Sequence, residues 1–375
     1  MRIEKIELKI IKDSRNFDCI EACIMTGSET DPATGKNSTK KYYASYPGGT
    51  SVSSFELKEL DPRRAISNFR KVEKHLLGNH TQRSFDKILL KNMKILSPAL
   101  TTPLSLALFS TDYKEKDVFP NILGNVFEGG AHSEKSINIQ EILVTPKEST
   151  FSKHLSTLRK IWKEVGLSIE GKNKMSLEAA WTANISNEKA LEIVSNVAKK
   201  YNARIGVDIA ASEFYNNGKY LWNGKKLGRK EYIENIIHLT NNFKLFYVED
   251  PVHEKDPKGY KEIKDKTNAL ISGDDLIATN LKRLKKNHDN INSVIVKPNQ
   301  AGVVSGCLDV IEYSNKNAIL PAVSHRSRTT KNTVLAKLAM HTPLAKIGIG
   351  GYAKYRLDEL EKMWNSSKNS KMAKI

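Results

Sequence analysis

Six ionisable residues stand at the ends of apolar runs in the C-terminal two-thirds of the chain: Asp208, Glu249, Asp274, Lys297, His325 and Lys346. They follow one another at steps of 41, 25, 23, 28 and 21 residues, each about the length of one strand plus one helix. Runs such as Phe246-Tyr247-Val248 do not alternate with polar residues, which suits strands buried on both faces of a parallel sheet. A buried strand ends in charge where something at its tip needs charge. Asp208, Glu249 and Asp274 offer hard oxygen ligands with no cysteine or histidine between them, a set that suits Mg²⁺ better than zinc. The same carboxylates could instead pair with the lysines as buried ion pairs, and the two readings are compatible. Lys297 follows Val294-Ile295-Val296, where burial and a nearby cation would lower its pKa and make it a general base. A base beside a metal that can hold a carboxylate points to proton abstraction alpha to a carbonyl. Asp250, next to Glu249, is expected to be a turn residue that orients what Glu249 holds.

Those tips need a scaffold that brings them to one place. Strands are expected at 205–210, 246–249, 269–273, 293–297, 318–323 and 344–347. Helices are expected at 186–202, 229–240, near Leu281, around Val304–Ile311, at 330–340 and at 356–364, with a hairpin turning at Asn223-Gly224. Strands alternating with helices call for a parallel sheet with right-handed crossovers. At least six such units favour a closed (β/α) barrel, whose active site lies at the carboxyl ends of its strands. No G-x-G-x-x-G follows any strand, which counts against a dinucleotide fold. Before residue 118 the pattern differs. Partial alternation at 3–11, 18–26 and 40–46 predicts a small antiparallel sheet. Asp61-Pro62 opens a helix as an N-cap acid followed by a first-turn proline, and helices are expected near 83–96 and 100–109. The fold class is thus α/β: an N-terminal α+β capping domain (1–117), a (β/α)8-type barrel (118–365) and a polar, lysine-rich tail (366–375) with signs of disorder.

Composition narrows the class further. The 375 residues are 39% hydrophobic, enough for one large domain and a smaller one. Three cysteines, Cys19, Cys23 and Cys307, lack metal-ligand spacing. With no signal peptide and no run long enough to span a membrane, a reduced, cytoplasmic protein is expected. The formal charge of +18 could attract nucleic acid or an acidic partner. The lysines are spread along the whole chain, however, without the aromatic-interleaved stripe of a nucleic-acid platform.

The segments IGVDIAASEFY (205–215), FYVEDP (246–251), ISGDDLIATN (271–280), VIVKPNQAG (294–302), VSHRS (323–327) and AKIG (345–348) resemble the signature segments of enolase, in enolase order. The resemblance extends upstream to GGAHSEKSINIQEILVTP (129–146) and NISNEKALEIV (184–194). It weakens towards DSR (13–15) and PGGTS (47–51). It implies reversible, Mg²⁺-dependent dehydration of 2-phosphoglycerate to phosphoenolpyruvate, the glycolytic and gluconeogenic reaction, in a homo-oligomer, commonly a homodimer. By resemblance, Asp208, Glu249 and Asp274 hold the magnesium and Ser51 helps to bind a second ion. Lys297 removes the C2 proton, and Glu178 helps the C3 hydroxyl leave as water. Lys346 lies beside the substrate carboxylate, and Arg326 and Ser327 clamp the phosphate. His132, Gln140, Glu141 and His325 surround the substrate.

Three departures from the family pattern stand out. Around the acid, Ser176-Leu177-Glu178-Ala179-Ala180-Trp181 has alanines where the family has glycines. Because alanine disfavours positive φ, this loop is expected to be built or moved differently. PGGTSVSS replaces the usual mobile-loop sequence, and DSR continues as Asn16-Phe17-Asp18. These changes leave open a paralogue acting on another phosphorylated or plain hydroxy acid, or a weakly catalytic basic scaffold that binds nucleic acid.

Overall fold

A computed structural model describes residues 1–30, 37–49, 52–130, 137–169, 174–176 and 178–375. The N-terminal strands β1 (Arg2–Lys12), β2 (Asp18–Thr30) and β3 (Asn37–Ser45) form the expected antiparallel sheet, with Ile6 opposite Ile24 and Ile10 opposite Ile20. Ile3 and Ile6 are both buried although an odd spacing should place them on opposite faces. A register shift between Ile3 and Lys5 resolves this by turning the strand locally. Asp61 caps the helix Pro62–Phe69 by accepting from the backbone N–H of Arg63 and Arg64 at 2.9 and 3.2 Å. The helix Pro98–Thr111 is buried along almost its whole length, because it packs against β2 and β3 and also against barrel helices.

The barrel strands are β4 (Asn121–Ile122), β5 (Gly124–Glu128), β6 (Glu141–Pro146), β7 (Ala203–Asp208), β8 (Tyr247–Glu249), β9 (Leu270–Gly273), β10 (Ser293–Val296), β11 (Leu320–Ser324) and β12 (Leu344–Lys346). From β7 to β12 neighbours pair in parallel. β4 pairs in parallel with β12, and β5, one residue further on, pairs with β6. The 121–128 segment therefore closes the ring. Leu123, Leu143, Tyr247, Ile295, Ala322 and Leu344 fill the interior as a cluster separate from the outer core.

Two features differ from the sequence expectation. β6 runs antiparallel to both β5 and β7. Strands paired antiparallel need no crossover helix between them. The two helices Phe151–Ser168 and Asn187–Lys200 then precede β7. The C-terminal tail is ordered: Lys371–Met372 pairs in parallel with Val118–Phe119, and the Asn121 amide donates to the Ala373 carbonyl at 2.9 Å. No helix among the described residues is long and apolar enough to cross a membrane.

Candidate active site

The antiparallel strand brings an acid to the mouth that parallel strands reach only at their ends. Glu141 opens β6 and lies opposite Asp208, which closes β7, and Asp208 lies beside Glu249, which closes β8. Three carboxylates thus stand in one row across neighbouring strands. The Lys346 ammonium, at the end of β12, reaches Asp208 Oδ2 at 2.6 Å, Glu141 Oε2 at 2.9 Å and Glu249 Oε1 at 3.0 Å. Burial alone would push this ammonium down, but Asp208, Glu141 and Glu249 raise it well above the ordinary lysine value. Burial, followed by repulsion from Asp208, pushes Glu249 well above the usual carboxylate range, against the pull of Lys346. Tyr247 Oη donates to Glu249 Oε2 at 2.8 Å.

Asp274 follows β9 and is paired with the Lys297 ammonium beyond β10. Burial would raise the Asp274 carboxyl, yet Lys297 holds it below its ordinary value. Lys297 is raised in turn: burial, the largest influence, lowers it, but the attraction of Asp274 and Glu249 together leaves it above its ordinary value. The Asp274 carboxylate thus favours the protonated lysine in this pair. The ion-pair reading of the lysines and acids is therefore the arrangement observed.

Asp250 sits in the left-handed region at φ 41°. Its Oδ1 accepts from Tyr260 Oη at 2.7 Å and from the Asp274 N–H at 3.0 Å, while Oδ2 accepts from the Asp275 N–H at 2.9 Å. It is a turn residue, as expected, and it orients the tip after the next strand, where Asp274 stands.

Glu178 is brought to the same mouth. Its Oε2 lies 3.5 Å from His325 Nε2 and its Oε1 3.7 Å from an Arg15 guanidinium nitrogen. Ala179 adopts φ 61°, so the alanine takes the left-handed conformation that the residue type disfavours. Compensating bonds hold it there: Trp162 Nε1 donates to the Ala179 carbonyl at 2.7 Å, and Ser176 Oγ accepts from the Glu178 and Ala180 N–H groups at 3.1 Å each.

Arg326 is engaged by Glu56, whose two carboxylate oxygens receive hydrogen bonds from one guanidinium nitrogen at 2.9 and 3.0 Å. Gln140, Glu141, Glu178, Asp208, Lys297, His325, Arg326, Ser327 and Lys346 all line one cavity of about 40 Å³, together with Gly49. Glu249 and Asp274 lie behind it, tied in through the lysines. His132 and Ser51 lie outside the described residues.

Sequence reasoning missed Arg15, Glu56, Glu128 and Gln300. Glu128 ends β5 and lies within 4.8 Å, oxygen to oxygen, of Glu141 and Glu178, and burial followed by those two acids raises it well above the carboxylate range. Gln300 donates to Asp274 Oδ1 at 2.9 Å and to Glu56 Oε1 at 3.1 Å. Glu128 closes a short apolar run, a signal of the kind used for Glu249. Glu56 sits among alternating charges in a loop and carries no such signal.

Among the described residues, the acidic trios whose oxygens come within 4.8 Å of one another are Glu128–Glu141–Glu178 and Asp250–Asp274–Asp275. Asp208, Glu249 and Asp274 present only oxygen donors, and two lysine ammonium groups sit among them. The expected trio is not one of those acidic clusters: Asp208 and Glu249 share Lys346 while Asp274 pairs with Lys297, although all three offer the oxygen donors that a hard divalent ion takes.

Residues 116–365 match the family described as enolase, C-terminal TIM barrel domain. An enolase of Archaeoglobus fulgidus is 30% identical over 400 residues, covering 96% of each chain. One of Picrophilus torridus is 30% identical over 393 residues, covering 96% of this chain and 97% of its own. One of Methanosphaera stadtmanae is 29% identical over 410 residues, covering 100% of this chain and 99% of its own. With a closed barrel, an antiparallel second strand and this charged mouth, the chain belongs to the enolase family.

Proposed function

We propose that this chain is a carbon–oxygen lyase that interconverts 2-phospho-D-glycerate and phosphoenolpyruvate. The observation that carries the reading is that Lys297, Glu178, Lys346 and Arg326 line one cavity, a base, an acid and two anion-binding cations together. Arg326 and Ser327 receive the phosphate, the arginine through its planar fork. Lys346 faces the substrate carboxylate. Lys297 Nζ takes the C2 proton; the electron pair left behind forms the C2–C3 double bond as the C3–O bond breaks. Glu178 gives its proton to the departing hydroxyl, which leaves as water, and His325 and Arg15 hold that carboxyl in place.

Asp208, Glu249 and Asp274 would hold Mg²⁺, which when bound supplies positive charge against the substrate carboxylate as the proton leaves. With Asp274 engaged elsewhere, burial and the positive charges of Arg326 and Lys346 push Lys297 down towards a usable base.

The test is the appearance of phosphoenolpyruvate absorbance from 2-phosphoglycerate with Mg²⁺. Turnover by the folded protein and its loss in Lys297→Ala are expected. Absence of signal above the Lys297→Ala control overturns the reading.

A further inference from the structure

We infer that Glu56 is an internal anion that competes with substrate for Arg326, and so sets the affinity of the site for a phosphoryl group. The inference rests on the reading of Arg326 as the phosphate clamp. The Glu56 carboxylate takes the Arg326 guanidinium at 2.9 and 3.0 Å, with the two side chains only 5% and 2% exposed. A carboxylate held this way answers the same charge that a phosphate would and occupies Nη1, one nitrogen of the fork that a phosphate would use.

The surroundings crowd the guanidinium. Gly49 lies so close to the guanidinium that a Cβ there would overlap Arg326. The cavity beside it is small, about 40 Å³. A phosphate that takes the Arg326 fork through Nη1 therefore displaces Glu56 from it.

Glu56 belongs to a segment with its own anchors. Ser53 Oγ donates to Glu254 Oε2 at 2.6 Å, and Ser54 Oγ bonds the same carboxylate. The Phe55 ring lies 3.3 Å below the Arg283 guanidinium. These contacts hold the segment in place when the Glu56 charge is removed. Breaking the Glu56–Arg326 pair thus costs binding energy in every association event, and a neutral residue at position 56 removes that cost.

The test uses the full chain with Mg²⁺ and inorganic phosphate as the probe, titrated calorimetrically into the parent protein, Glu56→Gln, Glu56→Ala and each combined with Arg326→Ala. Glu56→Gln and Glu56→Ala are expected to bind phosphate about tenfold tighter than the parent, the scale of a charge-assisted hydrogen bond. Arg326→Ala is expected to abolish the gain. In turnover, KM for 2-phosphoglycerate falls in Glu56→Gln by a larger factor than kcat changes. Unchanged or weaker phosphate binding in both folded Glu56 variants overturns the inference, since a residue that merely braces Arg326 would weaken binding when removed. Tighter phosphate binding without any turnover supports this inference while the proposed reaction falls. Turnover without tighter binding does the reverse.

Discussion

The Lys346 ammonium lies 2.6 Å from the Asp208 carboxylate and shares its charge with two further buried acids, Glu141 and Glu249. Removing one partner of a buried pair leaves an uncompensated charge, at a cost of about 3–5 kcal/mol. Lys346→Met is therefore expected to lower stability by about that amount in chelator. Added Mg²⁺, drawn to the same oxygens, should recover much of the loss. Thermal unfolding of parent and variant with and without Mg²⁺ measures this, and the variant should show the larger Mg²⁺-dependent rise in Tm. An equal rise in both proteins would separate the lysine from the metal position.

Ala179 makes a second expectation concrete. Its φ of 61° costs an alanine roughly 1–2 kcal/mol relative to a right-handed or extended conformation. Ala179→Gly relieves that strain but loosens the unfolded chain, so a net gain of about 0–1 kcal/mol is expected. Ala179→Val adds branching at a strained position and against Gly350, whose own Cβ position would fall 2.8 Å from that of Ala179. A loss of about 1–3 kcal/mol is expected. Urea unfolding of the pair decides it: if the valine variant matches the parent, the loop is not the strained element described.

His154 carries a pH dependence whose sign follows from its burial. Its Nε2 accepts from the Ile122 N–H at 3.0 Å, on the segment that closes the barrel. Burial pushes the imidazole down to about 4, whereas an unfolded histidine titrates near 6.5. Above about pH 6.5 neither state binds the proton and the stability is fully present. As pH falls from about 6.5 to 4 the unfolded chain takes up a proton that the folded chain refuses, and about 3 kcal/mol is lost. His154→Gln keeps an acceptor for Ile122 without titrating. Its loss of stability between pH 7 and pH 4 should be smaller than the parent's by about that amount, read from urea midpoints. Parallel pH profiles would sink the assignment.

The parts of the site that are legible in the sequence are those tied to a strand tip. Asp208, Glu249, Asp274, Lys297 and Lys346 each follow an unalternating apolar run, and a parallel barrel delivers such tips to one mouth whatever the loops do. The antiparallel β6 is hidden because periodicity reports burial, not direction. The order of the tail is hidden because Lys371–Met372 is held by backbone pairing to Val118–Phe119, which a polar composition neither reveals nor forbids. For Asp250, adjacency to Glu249 suggests a turn residue, but only its positive φ shows that its carboxylate turns to the backbone of Asp274 and Asp275. Glu56 is invisible for a different reason. Its partner Arg326 lies 270 residues away, and a loop acid becomes an active-site group only through packing between the two halves of the molecule.

That packing has its own polar lock, at Asp86. The side chain is fully buried. Its Oδ1 accepts from Ser105 Oγ at 2.6 Å and Gln82 Nε2 at 3.0 Å, and its Oδ2 accepts from the Ser305 N–H at 2.8 Å. Ser105 Oγ also accepts from the Val304 N–H at 2.8 Å. One carboxylate thus ties two N-terminal helices to the first turn of the barrel helix Val304–Lys316, where a negative charge is favoured. Asp86→Ala strands several buried donors at once and is expected to cost about 2–4 kcal/mol. Asp86→Asn retains one acceptor and should fall between. Asp309→Ala, which breaks an exposed pair with Arg83 across the same boundary, should cost no more than about 0.5 kcal/mol. Urea unfolding of the three variants tests the order, and an Asp86→Ala loss no larger than that of Asp309→Ala would show that Asp86 does not lock the two halves together.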